Sequence, residues 1–445
     1  MQGLIMAAQL ILGLSILVTL HELGHFLAAR AFGIKVEKFY LFFDAWGFKL
    51  FSFKRGETEY GIGWLPLGGY VKIAGMIDES LDTEQLSSEP QPWEFRAKPA
   101  WQRLIVMVGG VTMNVILGIA IYAYTLLAYK GEYLPNSEVV EGKGIYAYSL
   151  GREIGLQNGD KITAINGSSF ERFEELLSTR VMFGANLSVV RNNQTLEIPV
   201  PDDFYRRTMA AGRWNFIGYG PVRYQVGKVI EDGPAAKAGI LAEDEIIALN
   251  GAELTSGDDL PNTVDSLKGK NITVTIVRKG NTTDIPVTVS EEGTIGIAYN
   301  AEPVMESGYT MQPYTFGSAL AFGSSDAMEA LVSNVKGLRR IFTGDEKATD
   351  SVQGPIGIAT IYGGVWDWAR FWAITGLLSM VLAFMNMLPI PALDGGHVIF
   401  LLIESIFGFK FSDKVMERAQ VVGMVILLSL MVFAVGNDVW KHILN

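Results

Sequence analysis

The stretch VTLHELGHFLAAR, Val18–Arg30, places His21, Glu22 and His25 at the end of a long apolar run. On a helix, positions i and i+4 share one face, one turn apart. His21 and His25 therefore point the same way and can chelate one metal ion, with Glu22 on the adjoining flank. This is His-Glu-x-x-His, the spacing by which helical zinc sites hold their metal and their base. Imidazole nitrogen suits zinc, and a carboxylate beside an open coordination position can take and return a proton. An ionisable side chain at the centre of a bilayer costs roughly 3 kcal/mol unless it is paired, hydrated or metal-bound. Three such groups on neighbouring positions point to a metal site. The alternative is a snorkelling cluster at the membrane surface.

The apolar run is the first of four. Of the 445 residues, 49% are hydrophobic, which is high for a soluble protein of this size and indicates a membrane protein. Runs of about 20 apolar residues, enough to cross a bilayer, extend from Gly3 to Ala29 and from Leu104 to Tyr129, and begin again near Phe371 and Val421. The first has no Lys or Arg before Arg30 and no convincing cleavage site, so it reads as a span and not as a signal peptide. Basic residues follow span one (Arg30, Lys35, Lys38), precede span two (Arg96, Lys98, Arg103) and sit between spans three and four (Lys410, Lys414, Arg418). The positive-inside rule puts these clusters on one side, with four crossings and both termini on the other. Lys336, Arg339 and Arg340 oppose this, but they lie in a long connection, where the rule is weak.

Composition also excludes. A formal net charge of -11 argues against nucleic-acid binding by bulk electrostatics, so no nucleic-acid partner is expected. The absence of cysteine removes disulfides, iron–sulfur clusters and cysteine-ligated zinc.

Between spans two and three lies a long soluble portion with an internal repeat. GREIGLQNGDKITAINGSSF (Gly151–Phe170) is echoed by GPAAKAGILAEDEIIALNGAEL (Gly233–Leu254). Each reads as a short helix, a strand and a tight Asn-Gly turn, at Asn166-Gly167 and Asn250-Gly251. Alternating strands follow, giving two small α+β modules in tandem. Beyond them, Thr315–Phe342 repeats its apolar residues at helical spacing, with Lys336, Arg339 and Arg340 on the polar side. It reads either as a helix lying along the membrane surface or as an ordinary soluble helix.

A zinc ion held by two histidines needs a third protein ligand. Near His397 stands NMLPIPALDGGH, Asn386–His397, just after the third span. Pro389 and Pro391 break a helix, and Gly395 and Gly396 allow an unusual backbone. Irregular backbone at membrane depth is tolerated only inside protein or against a wet cavity. Asp394 would complete a His, His, Asp set and leave a fourth position for water. The other reading is a surface loop in which Asp394 is a helix N-cap.

HELGH in the first span together with NMLPIPALDGGH after the third resembles the site-2 protease family of intramembrane zinc metalloproteases. The four-span layout, with modules between spans two and three that look like tandem PDZ domains, is similar to the bacterial RseP-type group. The second module matches PDZ domains well; the first lacks the GPAAKAG entry. The resemblance covers nearly the whole chain. It implies one Zn2+ per chain held by His21, His25 and Asp394, with Glu22 as general base. It implies substrate-backbone binding by Asn386 and by GIGWLPLGGYVKIAG (Gly61–Gly75), including Gly68, Gly69 and Tyr70. That stretch resembles a membrane re-entrant β-hairpin presenting substrate as an added strand; its other reading is a plain cytoplasmic hairpin. GGVTMN (Gly109–Asn114) and GPIGI (Gly354–Ile358) also fit the group's pattern, with no chemical role assigned by the residues themselves.

The expected architecture is thus a polytopic α-helical membrane protein with four transmembrane helices, a re-entrant β-hairpin and two PDZ-like domains. Residues 1–130 form the first membrane half, 131–205 and 206–302 the PDZ-like domains, 303–366 an amphipathic linker region, and 367–445 the second membrane half. The expected activity is that of a zinc endopeptidase cutting single-pass transmembrane segments within the bilayer. The resemblance implies anti-sigma factors and remnant signal peptides as substrates, an upstream site-1-type protease as partner, and the bacterial inner membrane as location, with PDZ-like domains and termini in the periplasm. The alternative is a PDZ-bearing membrane scaffold without catalysis, which would need no metal.

Overall fold

The computed structural model describes residues 1–66, 68–76, 89–211, 215–305 and 308–444. Leu67 of the Gly61–Gly75 stretch, residues 212–214 of the second module and residues 306–307 of the linker lie outside the described residues. The chain divides into one unit of Met1–Gly131 with Tyr314–Asn445 and a second of Glu132–Pro313.

The first unit is helical with one small sheet. Helix α1, Gln2–Ala31, buries Gln9, Gly13, Leu17, His21, Gly24, His25 and Ala29, a single stripe at three- and four-residue spacing. Four strands follow: β1 (Val36–Leu41), β2 (Lys49–Arg55), β3 (Thr58–Gly63) and β4 (Tyr70–Ile73). Their order is β2-β3-β1-β4. β1 runs parallel to β3, with Phe39 opposite Tyr60, and antiparallel to β4, with Phe39 opposite Val71. The hairpin of this sheet is β2–β3. The Gly61–Gly75 stretch, expected as a hairpin of its own, supplies the end of β3 and all of β4, which flank β1 instead of pairing with each other. The physical reason is that the β1 backbone offers donors and acceptors on both edges, and each of the two strands satisfies one edge.

Helix α2, Ala100–Thr125, continues through a π-turn to Lys130 and packs along α1. The two backbones meet where Gly24 faces Gly109; a Cβ on Gly24 would fall on the Gly109 carbonyl. Small residues at a crossing are how helices in lipid approach closely. Helix α3, Phe316–Thr343, starts at a Thr315–Ser318 capping box and lays Ala319, Gly323 and Ala327 inward, with Gly323 against Ala123 of α2. Val332, Val335 and Phe342 stay exposed.

Helix α4, Pro355–Tyr362, is followed by α5 (Trp368–Asn386), α6 (Asp394–Phe407) and α7 (Asp413–Val439). Asp367 caps α5 by accepting from Ala369 N and Arg370 N at 2.9 and 3.1 Å. Among the described residues, four helices are long and apolar enough to cross a membrane: Gln2–Ala31, Ala100–Lys130, Trp368–Asn386 and Lys414–Val439. The second and fourth begin several residues before their apolar runs, at Ala100 and Lys414, because a hydrogen-bonded helix continues through charged end turns that reach water.

The second unit repeats the same local devices in both modules, although the first has a three-stranded sheet and the second a six-stranded one. Asn166 and Asn250 have φ of 51° and 50°, and Gly167 and Gly251 of 74° and 78°, so both Asn-Gly turns have the two positive φ angles of a type I′ hairpin. Strands Lys161–Ile165 and Glu245–Leu249 lead into these turns. Asp160 and Asp244, each 1% exposed, receive two-pronged bonds from Arg191 and Arg278, all at 2.6 Å. Each arginine also donates to a glycine carbonyl, Gly155 or Gly239, at 2.8 Å. Gly155 and Gly239 hold φ of 95° and 84° after the short helices Ser149–Glu153 and Pro234–Ala238. Separate apolar cores form around Phe173, Leu187 and Phe216 and around Tyr224, Ile246 and Ile276.

Candidate metal centre

The C-terminal turns of α1 carry His21 and His25, both buried, with their rings edge-to-face at 4.9 Å and 83°. Their Nε2 atoms are 3.3 Å apart. The third corner comes from the other end of the chain. α5 stops at Asn386, before Pro389 and Pro391, and the irregular link ends where α6 begins at Asp394. A Cβ on Gly395 would fall on the Leu388 carbonyl, and one on Gly396 on that of Ile390, so this tight return accepts only glycine at both positions. Leu393, in extended conformation, is the N-cap, and Asp394 is the first helical residue. The Asp394 carboxylate therefore does not cap its own helix. Its Oδ2 lies 3.3 Å from His21 Nε2 and 3.3 Å from His25 Nε2.

Three ligand atoms separated by 3.3 Å on every side match a zinc site. Tetrahedral ligands about 2.0–2.1 Å from zinc are about 3.4 Å from one another. Asp394 Oδ2 is also buried with no hydrogen-bond partner among the described residues, a setting in which a carboxylate oxygen suits a bound cation. His21, His25 and Asp394 form the group that can hold a metal ion.

The surroundings orient these ligands. His25 Nδ1 lies 2.8 Å from the Val106 carbonyl, which leaves Nε2 free to face the metal position. Glu22 is half-buried on the flank of α1 and receives a hydrogen bond from the Val71 backbone N–H of β4. Asn386 Nδ2 is 3.1 Å from His21 Nε2, so its amide sits beside the ligand set. A cavity of about 540 Å³ opens on the cluster, lined by His21, Glu22, Tyr70, Asn386 and Asp394 among others. Gly69 passes close to Val18 and the Tyr40 carbonyl, where a side chain would not fit. Tyr70 donates to Asp44 Oδ1 at 2.8 Å, and Lys38 reaches Asp44 Oδ2 at 3.1 Å. Gly68 lies in the link before β4.

Sequence reasoning left several of these residues without a role. Lys38, Asp44 and Gln420 line the cavity, as does His397. Gly110 is the place where α2 makes room for the cluster: a Cβ there would fall on His25 Nε2 and within 2.6 Å of His21 Cε1. Asn114 Nδ2, one turn on, is 3.1 Å from His21 Nδ1. The signal was present in GGVTMN, where Gly110 and Asn114 repeat the i, i+4 spacing of His21 and His25. The GPIGI stretch ties the start of α4 to α7, as Gly354 N, Ile356 N and Gly357 N donate to the Asp438 carboxylate at 2.9, 2.8 and 3.0 Å.

The model of peptidase family M50 matches residues 9–430, and the chain belongs to that family. It is 29% identical to the regulator of sigma-E protease RseP of Salmonella typhimurium, with 97% of each chain covered. It is 29% identical to the regulator of sigma E protease of Haemophilus influenzae, over 96% of this chain and 97% of the relative. It is 31% identical, over the same shares, to a Xylella fastidiosa protein whose name contains zinc metalloprotease. With a His-His-Asp group and four membrane-length helices among its described residues, this chain is a zinc metalloprotease of family M50.

Proposed function

We propose that this M50 peptidase is an intramembrane endopeptidase that hydrolyses peptide bonds within single-pass transmembrane segments. The observation that carries the reading is the equal 3.3 Å approach of Asp394 Oδ2 to both imidazoles, which stand on α1, a helix long and apolar enough to span a bilayer. His21, His25 and Asp394 would hold one Zn2+. Zinc, when bound, acidifies a water molecule and polarises the scissile carbonyl. Glu22 accepts the water's proton and delivers it to the leaving amine.

A transmembrane helix hides its carbonyls in hydrogen bonds, so the substrate must be unwound before cleavage. β4 is an edge strand beside Glu22, and main-chain pairing along Gly68, Gly69 and Tyr70 would hold substrate extended. The Asn386 amide would donate to the substrate backbone. The sheet suits immersion in lipid, since Trp46, Phe48, Leu50, Phe51, Phe53 and Trp64 are exposed on it and its loops. This is the support for reading it as the membrane re-entrant element.

The two modules of the second unit serve as PDZ-like domains on the periplasmic side. There they admit stubs already trimmed by an upstream site-1-type protease. Both termini lie on that side of the bacterial inner membrane. Anti-sigma factors and remnant signal peptides are the substrate classes, in keeping with relatives named as regulators of sigma E.

The test is Glu22→Gln in vesicles holding a model single-pass substrate. The variant keeps its zinc, and cleavage falls by about 10²–10⁴-fold, the usual contribution of a general base. Wild-type cleavage in the variant would reject the mechanism.

A further inference from the structure

Helix α2 approaches the cluster with three successive turns. The Val106 carbonyl accepts at His25 Nδ1, Gly110 leaves room beside both rings, and Asn114 reaches His21 Nδ1. The antiparallel crossing at Gly24 and Gly109 sets this register. Asn114 is wholly buried and cannot exchange its partner for bulk water. Its own backbone is tied as well: Ser379 Oγ of α5 donates to the Asn114 carbonyl at 2.7 Å.

An imidazole whose Nε2 faces a metal carries its proton on Nδ1, so the group opposite Nδ1 must accept. With the amide nitrogen turned to the ring, Asn114 Oδ1 is left buried with no hydrogen-bond partner among the described residues. Rotating the amide by 180° puts the oxygen against the ring N–H and removes the donor-to-donor contact at His21; oxygen and nitrogen of an amide are assigned from their partners. The shape of the residue is unchanged.

We propose that Asn114 is the positioning residue for His21: its amide oxygen accepts from His21 Nδ1–H, fixing the tautomer and aiming Nε2 at the metal. The inference rests on the ligand set proposed above and extends it to α2. The two ligand histidines are then held from one helix, His25 by a main-chain carbonyl and His21 by a side-chain one. Outer partners of this kind orient a ligand ring and raise its basicity. Asn114 touches no substrate, so its effect passes wholly through His21.

The experiment measures zinc affinity of the purified full-length protein in detergent, by competition with graded chelator and elemental analysis. Asn114→Leu keeps the branched outline and loses the acceptor; zinc affinity falls roughly 10–100-fold, the usual effect of losing an outer partner. Asn114→Asp restores an acceptor at the same place and stays close to wild type. Asn114→Ala, which any helix accommodates, repeats the leucine result and stands in for it should the leucine variant fail to fold. Wild-type affinity in the leucine or alanine variant would overturn the inference, as would an aspartate variant as weak as alanine. A wild-type protein that takes up no zinc would instead overturn the ligand set itself, and this inference with it.

Discussion

Asp394 Oδ2 stands 3.3 Å from His25 Nε2, although one residue lies on the first helix of the chain and the other opens a helix near its far end. Nothing local holds Asp394 there, since Leu393 occupies the cap position of its helix. The approach is therefore a property of the folded membrane unit, and the cluster exists only when both halves of that unit are assembled. Asp394→Ala removes one of three protein ligands. Zinc affinity should fall by more than the roughly 10–100-fold that accompanies loss of an outer partner. Elemental analysis after dialysis checks this; a variant that keeps one zinc per chain would remove Asp394 from the ligand set.

Gly110→Ala tests the same centre from the opposite side. The new methyl group would press on His25 Nε2 and on His21 Cε1, at 2.6 Å from the latter. Both rings must then move away from the metal position, while the helix itself prefers alanine by about 1 kcal/mol. The expected result is lower zinc affinity and cleavage in a protein that still folds. Gly337→Ala, with open space around it, is the matched control and should change neither. Equal zinc binding in the two variants would mean that the rings do not face α2 as described.

How much of this was legible beforehand depended on distance along the chain. His21, Glu22 and His25 announce themselves because their geometry is set within one helical turn. The four spans are legible because bilayer thickness imposes a length. The repeat was legible because Asn-Gly turns and their flanking strands are local devices, and Arg191 and Arg278 then proved to occupy equivalent places. The parallel pairing of β1 with β3 was not legible, since it depends on a non-local choice between two edges. Nor was the role of Asn114, whose partner is 93 positions away. Asp394 lay between: its chemistry was readable, but its place beside His21 and His25, and not at its own helix cap, depends on the fold.

Asp438 binds three backbone N–H groups at the start of α4. Asp438→Ala leaves these donors, two of them in buried bonds, without their acceptor. At about 1–3 kcal/mol for each buried orphan, the local cost is about 3 kcal/mol even if water partly compensates. Hydrogen exchange of residues 354–358 should accelerate by about 100-fold. Protection equal to wild type would show that packing of α4 holds the segment without the carboxylate.

The repeated ion pair in the soluble unit carries a pH dependence whose sign can be worked out. Burial alone would raise the Asp244 carboxyl, but hydrogen bonds from Arg278 and from Leu241 N outweigh it and hold the group below the usual aspartate range. A carboxyl lowered in the folded state favours folding wherever it is ionised. That contribution is complete above the unfolded value, about 4, and disappears as pH falls through the lower folded value. Asp244→Asn removes it. The Tm for unfolding of residues 132–313 in the full chain, followed by limited proteolysis during heating, should lie several degrees below wild type at pH 6. The gap should narrow as the pH is taken from about 5 toward 3, because the carboxyl of the unfolded chain then takes up a proton while the folded one resists. A gap that stays constant over this range would mean that the ionised carboxylate is not what Arg278 stabilises, and that Asp244 acts there only through its shape and its bond to Leu241 N.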